Sequence, residues 1–370
     1  MFNYNHYVPA LKWKRGERVA LKNLTPKELD NITPLIEIQP IPYNHKEQVF
    51  KKTIEQHLDN TGANLLEIWS SKRPIFIDGH TLFDDTRIDP EILLNNGQSP
   101  LEFIIDDIES FGISAIPVTS LLRYESYHES VQFCVEKYKR GVCLRLFKSD
   151  LSDINHLNQN IDNILQYLKV NIEDVDIIID YRQIDPDEKY QIINELILSI
   201  AKFPYLKRWR TFTFLSTSMT KNLSHIPTNT TNELAREEWN IYLELLKQGI
   251  SRFPSFGDYN ISHPDWFDFD STKYDRGANL KYTVDSKYII FRGRGVKKYG
   301  FNQMQQLCQN VILHKEYCSK TFSFGDEYIY NCANGTESTG NSETWVRVNV
   351  NHHLAFIINC LTNSHATLTV

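Results

Sequence analysis

Short β-rich runs alternate with longer segments of helical spacing over the first 260 residues. Several of the short runs are continuously apolar, which is typical of strands that are buried on both faces of a parallel sheet. Strands that alternate with crossover helices indicate repeated βα units. The pattern predicts eight strands, at residues 7–12, 33–38, 73–78, 114–119, 141–146, 176–180, 210–216 and 254–259.

The segments between these strands carry the 3.6-residue spacing of amphipathic helices. The predicted helices span residues 46–69, 100–111, 124–139, 161–170, 189–203 and 232–248. After the first strand, Thr25 and Glu28 have the spacing of a capping box around Pro26, which predicts a helix start there. Eight such units favour a (β/α)8 TIM-like barrel, with an open doubly wound sheet as the alternative.

Residues 261–370 do not continue this rhythm, so we expect a barrel domain over residues 1–260 and a C-terminal α+β extension that packs on or caps it. Within the extension the pattern predicts a hairpin at 280–292, a helix at 302–317, a strand at 324–332 and an apolar run at 345–361. The segment 334–342 is rich in Gly, Ser, Thr and Asn and is predicted to be an exposed loop.

Charged residues recur where the predicted strands end, which is the end at which parallel barrels place their ligand sites. Burying a charge at the edge of an apolar core is unfavourable unless it is paired, so these positions need a common explanation. A ligand site at the barrel mouth is one explanation, and a structural salt-bridge network is the other. The eight positions are Lys12, Glu37, Asp78, Thr119, Arg145, Asp180, Ser216 and Asp258.

Two cations and four carboxylates in this ring sum to a formal charge of -2. This charge suits a divalent metal ion, a cationic ligand or a proton shared between carboxylates. We expect Lys12 and Arg145 to hold an anionic substrate such as a phosphate-bearing molecule. Glu37, Asp78 and Asp180 are expected to supply acid-base groups or metal ligands. Asp258 completes the predicted catalytic set, and Thr119 and Ser216 are predicted ligand contacts.

Further candidates lie in and near the extension. Arg292 begins a basic turn, residues 292–298, that suits a phosphate contact but is also typical of a solvated surface. His352 and His353 face different directions, so one of them is expected to reach the site and the other to be structural. The four-residue sequence Ser-Phe-Gly-Asp occurs at 255–258 and again at 323–326, and we expect both copies to end strands. Asp326 is therefore a further candidate.

The composition excludes several classes of protein. The 370 residues hold 40 basic and 46 acidic side chains, which lacks the basic excess of a duplex nucleic-acid binder. No apolar run approaches the roughly 20 residues that a membrane span needs, and residues 1–7 carry no secretory signal. The six cysteines form no Cys-x-x-Cys pair and are expected to be reduced. We therefore predict a cytoplasmic location.

Several segments resemble the Beta protein family, which is named for a protein of T-even bacteriophages. The resemblance rests on residues 7–14, 32–38, 76–78, 144–146, 256–259, 263–264, 345–347 and 351–353, and so covers nearly the whole chain. It adds His263, Arg347 and His353 as candidate ligand contacts. The family includes phage and bacterial proteins of unassigned biochemistry, some encoded near genes of phage conflict, so the resemblance implies a role in antiviral defence.

Two classes of function remain open at this stage. The first is an enzyme, such as a hydrolase, that acts on a nucleotide or nucleic-acid phosphate, with a divalent metal ion as a candidate cofactor. The second is a non-catalytic sensor or adaptor that binds a phage component or a partner protein in a defence complex. The ring of charges fits either class, because it supplies binding groups as well as acid-base groups.

Overall fold

Eight parallel strands close into a barrel in the computed structural model, which describes residues 2–363. Each strand overlaps one of the eight predicted runs, so the (β/α)8 barrel is confirmed and the open doubly wound sheet is wrong. The order around the barrel follows the chain, and the last strand pairs with the first. The barrel strands are β1 (Tyr7–Leu11), β2 (Leu35–Glu37), β5 (Ile75–Asp78), β6 (Ala115–Thr119), β7 (Val142–Phe147), β8 (Val175–Gln183), β9 (Thr211–Thr217) and β11 (Ser255–Asp258).

Side chains alternate between the barrel interior and the surrounding helices, as the period of two in a strand requires. On β1, Val8 and Ala10 belong to the small apolar cluster inside the barrel, whereas Tyr7 and Leu11 belong to the larger cluster between barrel and helices. This alternation decides which residues at the strand ends can meet inside the mouth. The interior cluster consists of Val8, Ala10, Leu35, Phe76, Ile116, Val118, Cys143, Ile178, Leu215 and Tyr259.

Helices follow each barrel strand and cover the outside of the barrel. The capping box at Thr25 is present, with the Thr25 hydroxyl accepting from the Glu28 amide and the Glu28 carboxylate accepting in return. The barrel helices are α1 (Arg15–Lys22), α2 (Pro26–Leu29), α3 (Ile54–Leu58), α4 (Thr61–Leu66), α5 (Pro100–Ser110), α6 (Glu125–Tyr138), α7 (Ile154–Leu168), α8 (Lys189–Lys202), α9 (Glu237–Lys247) and α13 (Ser342–Asn363).

Two predicted helices begin too early. Residues 46–69 include β4 (Val49–Phe50), which pairs antiparallel with the preceding β3 (Tyr43–Asn44), and Thr53 caps a new helix start before α3 and α4. Residues 232–248 begin with β10 (Thr230–Ala235), which pairs with the extension and leaves only α9 helical. In both cases strand pairing overrides the local helical spacing, with the neighbouring β3 in the first case and with β13 of the extension in the second.

The extension is a three-stranded sheet covered by helices. The predicted hairpin is present as β12 (Gly277–Thr283) and β13 (Lys287–Gly295), and β10 adds the third strand. Two further helices, α10 (Val296–Tyr299) and α11 (Gln303–Ile312), follow the hairpin. The predicted strand at 324–332 is wrong, because these residues form α12 (Phe324–Ala333), with the Ser323 hydroxyl accepting from the Asp326 amide as an N-cap.

The long helix α13 joins the extension to the barrel. Val350, Leu354 and Ile357 lie in the apolar cluster between the barrel and its helices, and Asn351 donates to the carbonyl of Ala20 in α1 at 3.0 Å. Trp345 and Val348 instead pack in the core of the extension. One helix therefore serves as the eighth helix of the barrel and as a wall of the extension.

No helix among residues 2–363 combines the length and the apolar character that crossing a bilayer requires.

Candidate functional site at the barrel mouth

Arg145 lies at the centre of the mouth, where β7 approaches its end. Its Nη1 donates to Asp78 at 2.8 Å, its Nη2 donates to Glu37 at 2.9 Å, and its Nε donates to Asp180 at 2.9 Å. The Tyr259 hydroxyl lies 2.6 Å from Nη2 and donates to the same Asp180 oxygen at 2.5 Å. These five side chains, from five strand ends, are called the mouth network below, and each is at most 2% exposed.

The electrostatics differ between the carboxylates of the mouth network. Burial disfavours the charged form of Asp78, but Arg123 and Arg145 outweigh it, and the pKa of Asp78 lies below its ordinary value. Burial raises the pKa of Glu37 despite the attraction of Arg145 and Lys12. Within the described residues Glu37 Oε2 has no hydrogen-bond partner. Glu37 is therefore the carboxyl of this network best suited to carry a proton.

Strand alternation separates the eight predicted ring residues into two groups. Glu37, Asp78, Arg145 and Asp180 meet inside the barrel, with Lys12 above them. Thr119, Ser216 and Asp258 each lie one residue out of phase with the interior positions Val118, Leu215 and Tyr259. These three side chains are fully buried behind the barrel wall, and the structure does not bring them to the mouth network.

Asp258 takes part in a second buried network, between the barrel and α13. It accepts from the Tyr7 hydroxyl at 2.5 Å and lies 2.9 Å from His353 Nε2. Burial lowers the pKa of His353 even though Asp258 opposes that shift. The ring also contacts the Thr283 hydroxyl at 2.8 Å. All four side chains have no exposed surface, so this arrangement holds α13 against the barrel and has no access for a substrate.

The second copy of the repeated sequence forms a parallel contact in the extension. Asp326 accepts from the Tyr282 hydroxyl at 2.6 Å and lies 2.8 Å from His352 Nδ1. His352 and His353 thus each meet an aspartate, on different sides of α13, and both rings are fully buried. The adjacent histidines face different directions as expected, but neither of them reaches the mouth network.

A segment after β11, residues 262–276, crosses the mouth and is called the mouth cover below. The Asp265 carboxylate accepts from Arg182 at 2.7 Å and from Lys221 at 3.2 Å, and the Asp265 carbonyl accepts from Lys12 at 2.7 Å. Further along, Asp268 pairs with Arg87 and with His45, each at 2.8 Å. The mouth cover is therefore attached to the end of β8 and to loops that follow four other strands.

The remaining predicted contacts lie at different distances from the mouth. His263 belongs to the mouth cover, where its Nε2 lies 2.6 Å from the side-chain oxygen of Gln183. Arg292 is on β13 and donates to the Ile226 carbonyl. Arg347 is on α13, with its guanidinium over the rings of Phe324 and Tyr328. Only His263 of these three is close to the mouth network.

Sequence reasoning missed several mouth residues. Tyr259 stands next to the selected Asp258, and a strict period of two counted from the apolar interior positions would have found it. Arg123, whose Nη2 lies 3.4 Å from Asp78, comes from the loop after β6. Arg182 lies near the end of β8, where its backbone has a positive φ of 53° and the pairing with β9 is irregular. No local pattern marks these two arginines, because the irregular backbone at the strand ends directs them. The mouth therefore carries more positive charge than the predicted ring.

The three carboxylates of the mouth network converge on a guanidinium. Among residues 2–363 no group of three or more His, Cys, Asp or Glu side chains is arranged to hold a metal ion. In the same part of the chain all six cysteines are free thiols, and four of them are fully buried. The polar groups available at the mouth are thus an arginine, three carboxyls, a tyrosine and the surrounding cations.

Comparisons with known proteins give one match over most of the chain. A family model described as Beta protein matches residues 7–359. The chain has no significant match among curated proteins. Similar solved structures include that of a chitinase from Chromobacterium violaceum ATCC 12472, at 8% sequence identity and a TM-score of 0.29, with 94% of this chain and 98% of that chain covered.

Proposed function

The chain belongs to the Beta protein family, and from that premise we propose that it is a cytoplasmic enzyme of antiviral defence that hydrolyses or modifies a phosphate-bearing substrate at the barrel mouth. The substrate class is a nucleotide or a nucleic acid. The proposal rests on the site, because one barrel fold supports many unrelated activities.

The environment of Glu37 is the observation that supports the proposal most directly. Glu37 is a carboxyl with a raised pKa, it lies at the C-terminal end of a barrel strand, and its Oε2 has no partner within the described residues. An unpaired buried oxygen is unfavourable in a purely structural network, which would satisfy each acceptor. A carboxyl whose pKa is raised keeps its proton to higher pH than an ordinary glutamic acid, which makes it better suited to act as a general acid.

The cations above Glu37 support an anionic substrate. Lys12, Arg182 and Lys221 meet at Asp265 of the mouth cover. The Asp265 carboxylate occupies a place that a phosphate oxygen would fill with the same donors, since ammonium and guanidinium groups bind both kinds of anion. Substrate entry therefore requires displacement of the mouth cover by competition for these cations.

Hydrolysis at this site consists of one bond formed, one bond broken and two proton transfers. The oxygen of a water molecule forms a bond to phosphorus, and the bond from phosphorus to the leaving oxygen breaks. Glu37 gives its proton to that leaving oxygen and regains one from the proton that the water releases. Lys12 and Arg182 neutralise the phosphate charge during the reaction. Arg145 acts as a positioning residue, since it fixes Glu37 through the 2.9 Å bond to Oε1.

Nucleotide and nucleic-acid panels, incubated with the purified protein in the presence of magnesium or of a chelator, test this proposal. We expect turnover by the wild type and a loss of at least 100-fold in Glu37→Gln, the size typical of general acid catalysis. Glu238→Gln is the matched control, because Glu238 is also a fully buried carboxyl with a raised pKa but lies in a different network. Equal turnover in both variants would refute the role of Glu37.

A non-catalytic sensor or adaptor is the second candidate, and one observation favours it. Arg145 already makes four hydrogen bonds to the other members of the mouth network, and the mouth cover lies over them. A network saturated in this way also suits a rigid scaffold that binds a phage component or a partner protein. Phage infection assays separate the two: protection that persists in Glu37→Gln supports the adaptor, and protection lost in that variant while the fold remains intact supports the enzyme.

A further inference from the structure

A cavity of 480 Å³ lies between the barrel and the extension, to one side of the mouth. Its walls come from the start of α1, from the segment after β11, from β12, from α11 and from the first turns of α13. Its volume falls within the range of about 300–1,000 Å³ that is typical of small-molecule sites. The mouth network contributes no residue to its lining, so the cavity is a separate candidate site.

The charges around the cavity are unbalanced. Lys14, Arg15, Arg276 and Lys281 line it together with a single carboxylate, Glu343. Arg15 pairs with Glu343 at 3.5 Å. Within residues 2–363 the other three cations form no ion pair, which leaves three positive charges on one cavity. Such a wall attracts an anion, and more strongly where water is partly excluded.

Lys281 is the least compensated of these cations. Its side chain is only partly exposed, and its ammonium donates to the Ile261 carbonyl at 2.7 Å. Burial, helped by the nearby charge of Lys12, lowers the pKa of Lys281 to about 8. A partly buried ammonium without a carboxylate partner is unfavourable for stability, and such perturbed groups cluster at functional sites.

Another part of the cavity lining is apolar. Phe301, Met304, Trp345 and Val346 line it, and Met304 and Trp345 also pack in the core of the extension. At the rim, a Cβ built on Gly277 would meet no atom within 4 Å. The cavity therefore offers room, apolar side chains and cations at the same time.

We propose that this cavity is a binding site for a nucleoside mono- or diphosphate, with the phosphates at Lys14, Arg276 and Lys281 and the base against Phe301 and Trp345. The phosphates alone would leave the apolar residues of the cavity uncovered, and the base alone would leave the cations uncovered. The site shares Ser262 and Arg276 with the mouth cover but no residue with the mouth network. It therefore accommodates an effector as readily as a part of the substrate, and it does not depend on catalysis at Glu37.

Isothermal titration of the full chain with ADP, adenosine and pyrophosphate tests the proposal. ADP is expected to bind, and adenosine and pyrophosphate are each expected to bind at least 10-fold more weakly, because each lacks one half of the recognition. Lys281→Met should weaken ADP binding at least 10-fold without lowering the melting temperature, since it removes an uncompensated buried charge. Gly277→Leu should block the cavity without changing any cation.

Two controls distinguish this site from the mouth. Lys207→Met removes an exposed cation just before β9, at the opposite end of the barrel, and should leave ADP affinity unchanged. Glu37→Gln should also keep ADP affinity, so failure of catalysis and failure of this site give different results. The proposal is overturned if no probe binds, or if ADP binding persists in both Lys281→Met and Gly277→Leu.

Discussion

Replacement of Arg145 by methionine tests the mouth network most directly. Methionine keeps much of the length of the side chain and removes the guanidinium, so Asp78 and Asp180 then face the same volume without the cation that lies 2.8 Å from each. Burial already favours the neutral form of Glu37. The folded variant is therefore expected to take up at least one further proton, on one of the two aspartates.

The free-energy cost of this proton uptake sets the expected loss of stability. Protonating an aspartate of ordinary pKa costs about 4 kcal/mol at pH 7 but only about 1.5 kcal/mol at pH 5. We therefore expect Arg145→Met to lower the free energy of unfolding by at least about 4 kcal/mol at pH 7, in the range for breaking a buried pair. Because the aspartate pKa is raised in the folded variant, the deficit relative to wild type should shrink by about 2.7 kcal/mol at pH 5.

Urea unfolding of wild type and variant at pH 7 and pH 5 measures both quantities. Arg208→Met is the matched control, because Arg208 pairs with Glu173 at 2.9 Å on the exposed surface and should contribute less than about 1 kcal/mol at either pH. A deficit for Arg145→Met below 1 kcal/mol, or one that is the same at both pH values, would refute the reasoning, because the carboxylates would then not depend on the guanidinium for their charge.

Three further predictions concern other parts of the molecule. Burial lowers the pKa of His6 to about 3, so between pH 7 and pH 5 the unfolded chain binds a proton at His6 while the folded protein does not. The free energy of unfolding should therefore fall by about 2 kcal/mol over this range, and urea unfolding of His6→Gln should show a smaller fall. Gly257→Ala should cost about 1–3 kcal/mol, because its Cβ would lie 2.9 Å from the Val8 carbonyl oxygen, whereas Gly249→Ala meets open space and should be nearly neutral in thermal melts. Asp265→Asn should speed amide exchange of residues 262–276 in mass spectrometry while lowering global stability by less than about 1 kcal/mol.

The barrel could be predicted from the sequence because its strands are apolar runs that end in polar or charged residues. Whether the side chains at these ends point into or out of the barrel could not be predicted equally well. Asp258 pairs in register with Pro9 and with Ser216, and this register places it outside while Tyr259 points inward. The register of a strand is set by its pairing with strands that are distant in the sequence. An error of one residue in the predicted register places a side chain on the wrong face of the barrel wall.

The repeated Ser-Phe-Gly-Asp sequence shows the limit of local reasoning. At 255–258 it forms a strand, with the Ser255 hydroxyl donating to the Asn3 carbonyl and a barrel strand on either side. At 323–326 it begins a helix, because the Ser323 hydroxyl is free to cap the Asp326 amide. The same four residues therefore adopt two structures, because at 255–258 distant strands pair with them and at 323–326 the local cap starts a helix.

Closure of the barrel by its most distant parts has a consequence for synthesis of the protein. Tyr7 pairs with Phe256, and Asn351 bonds Ala20 across a separation of 331 residues. At a translation speed of about 5–20 residues per second, β1 waits about 12–50 s for β11, and α1 waits about 17–66 s for α13. During that interval the apolar outer face of β1 has no covering helix, so the nascent chain should be most prone to aggregation, and most dependent on chaperones, before residues 342–363 are made.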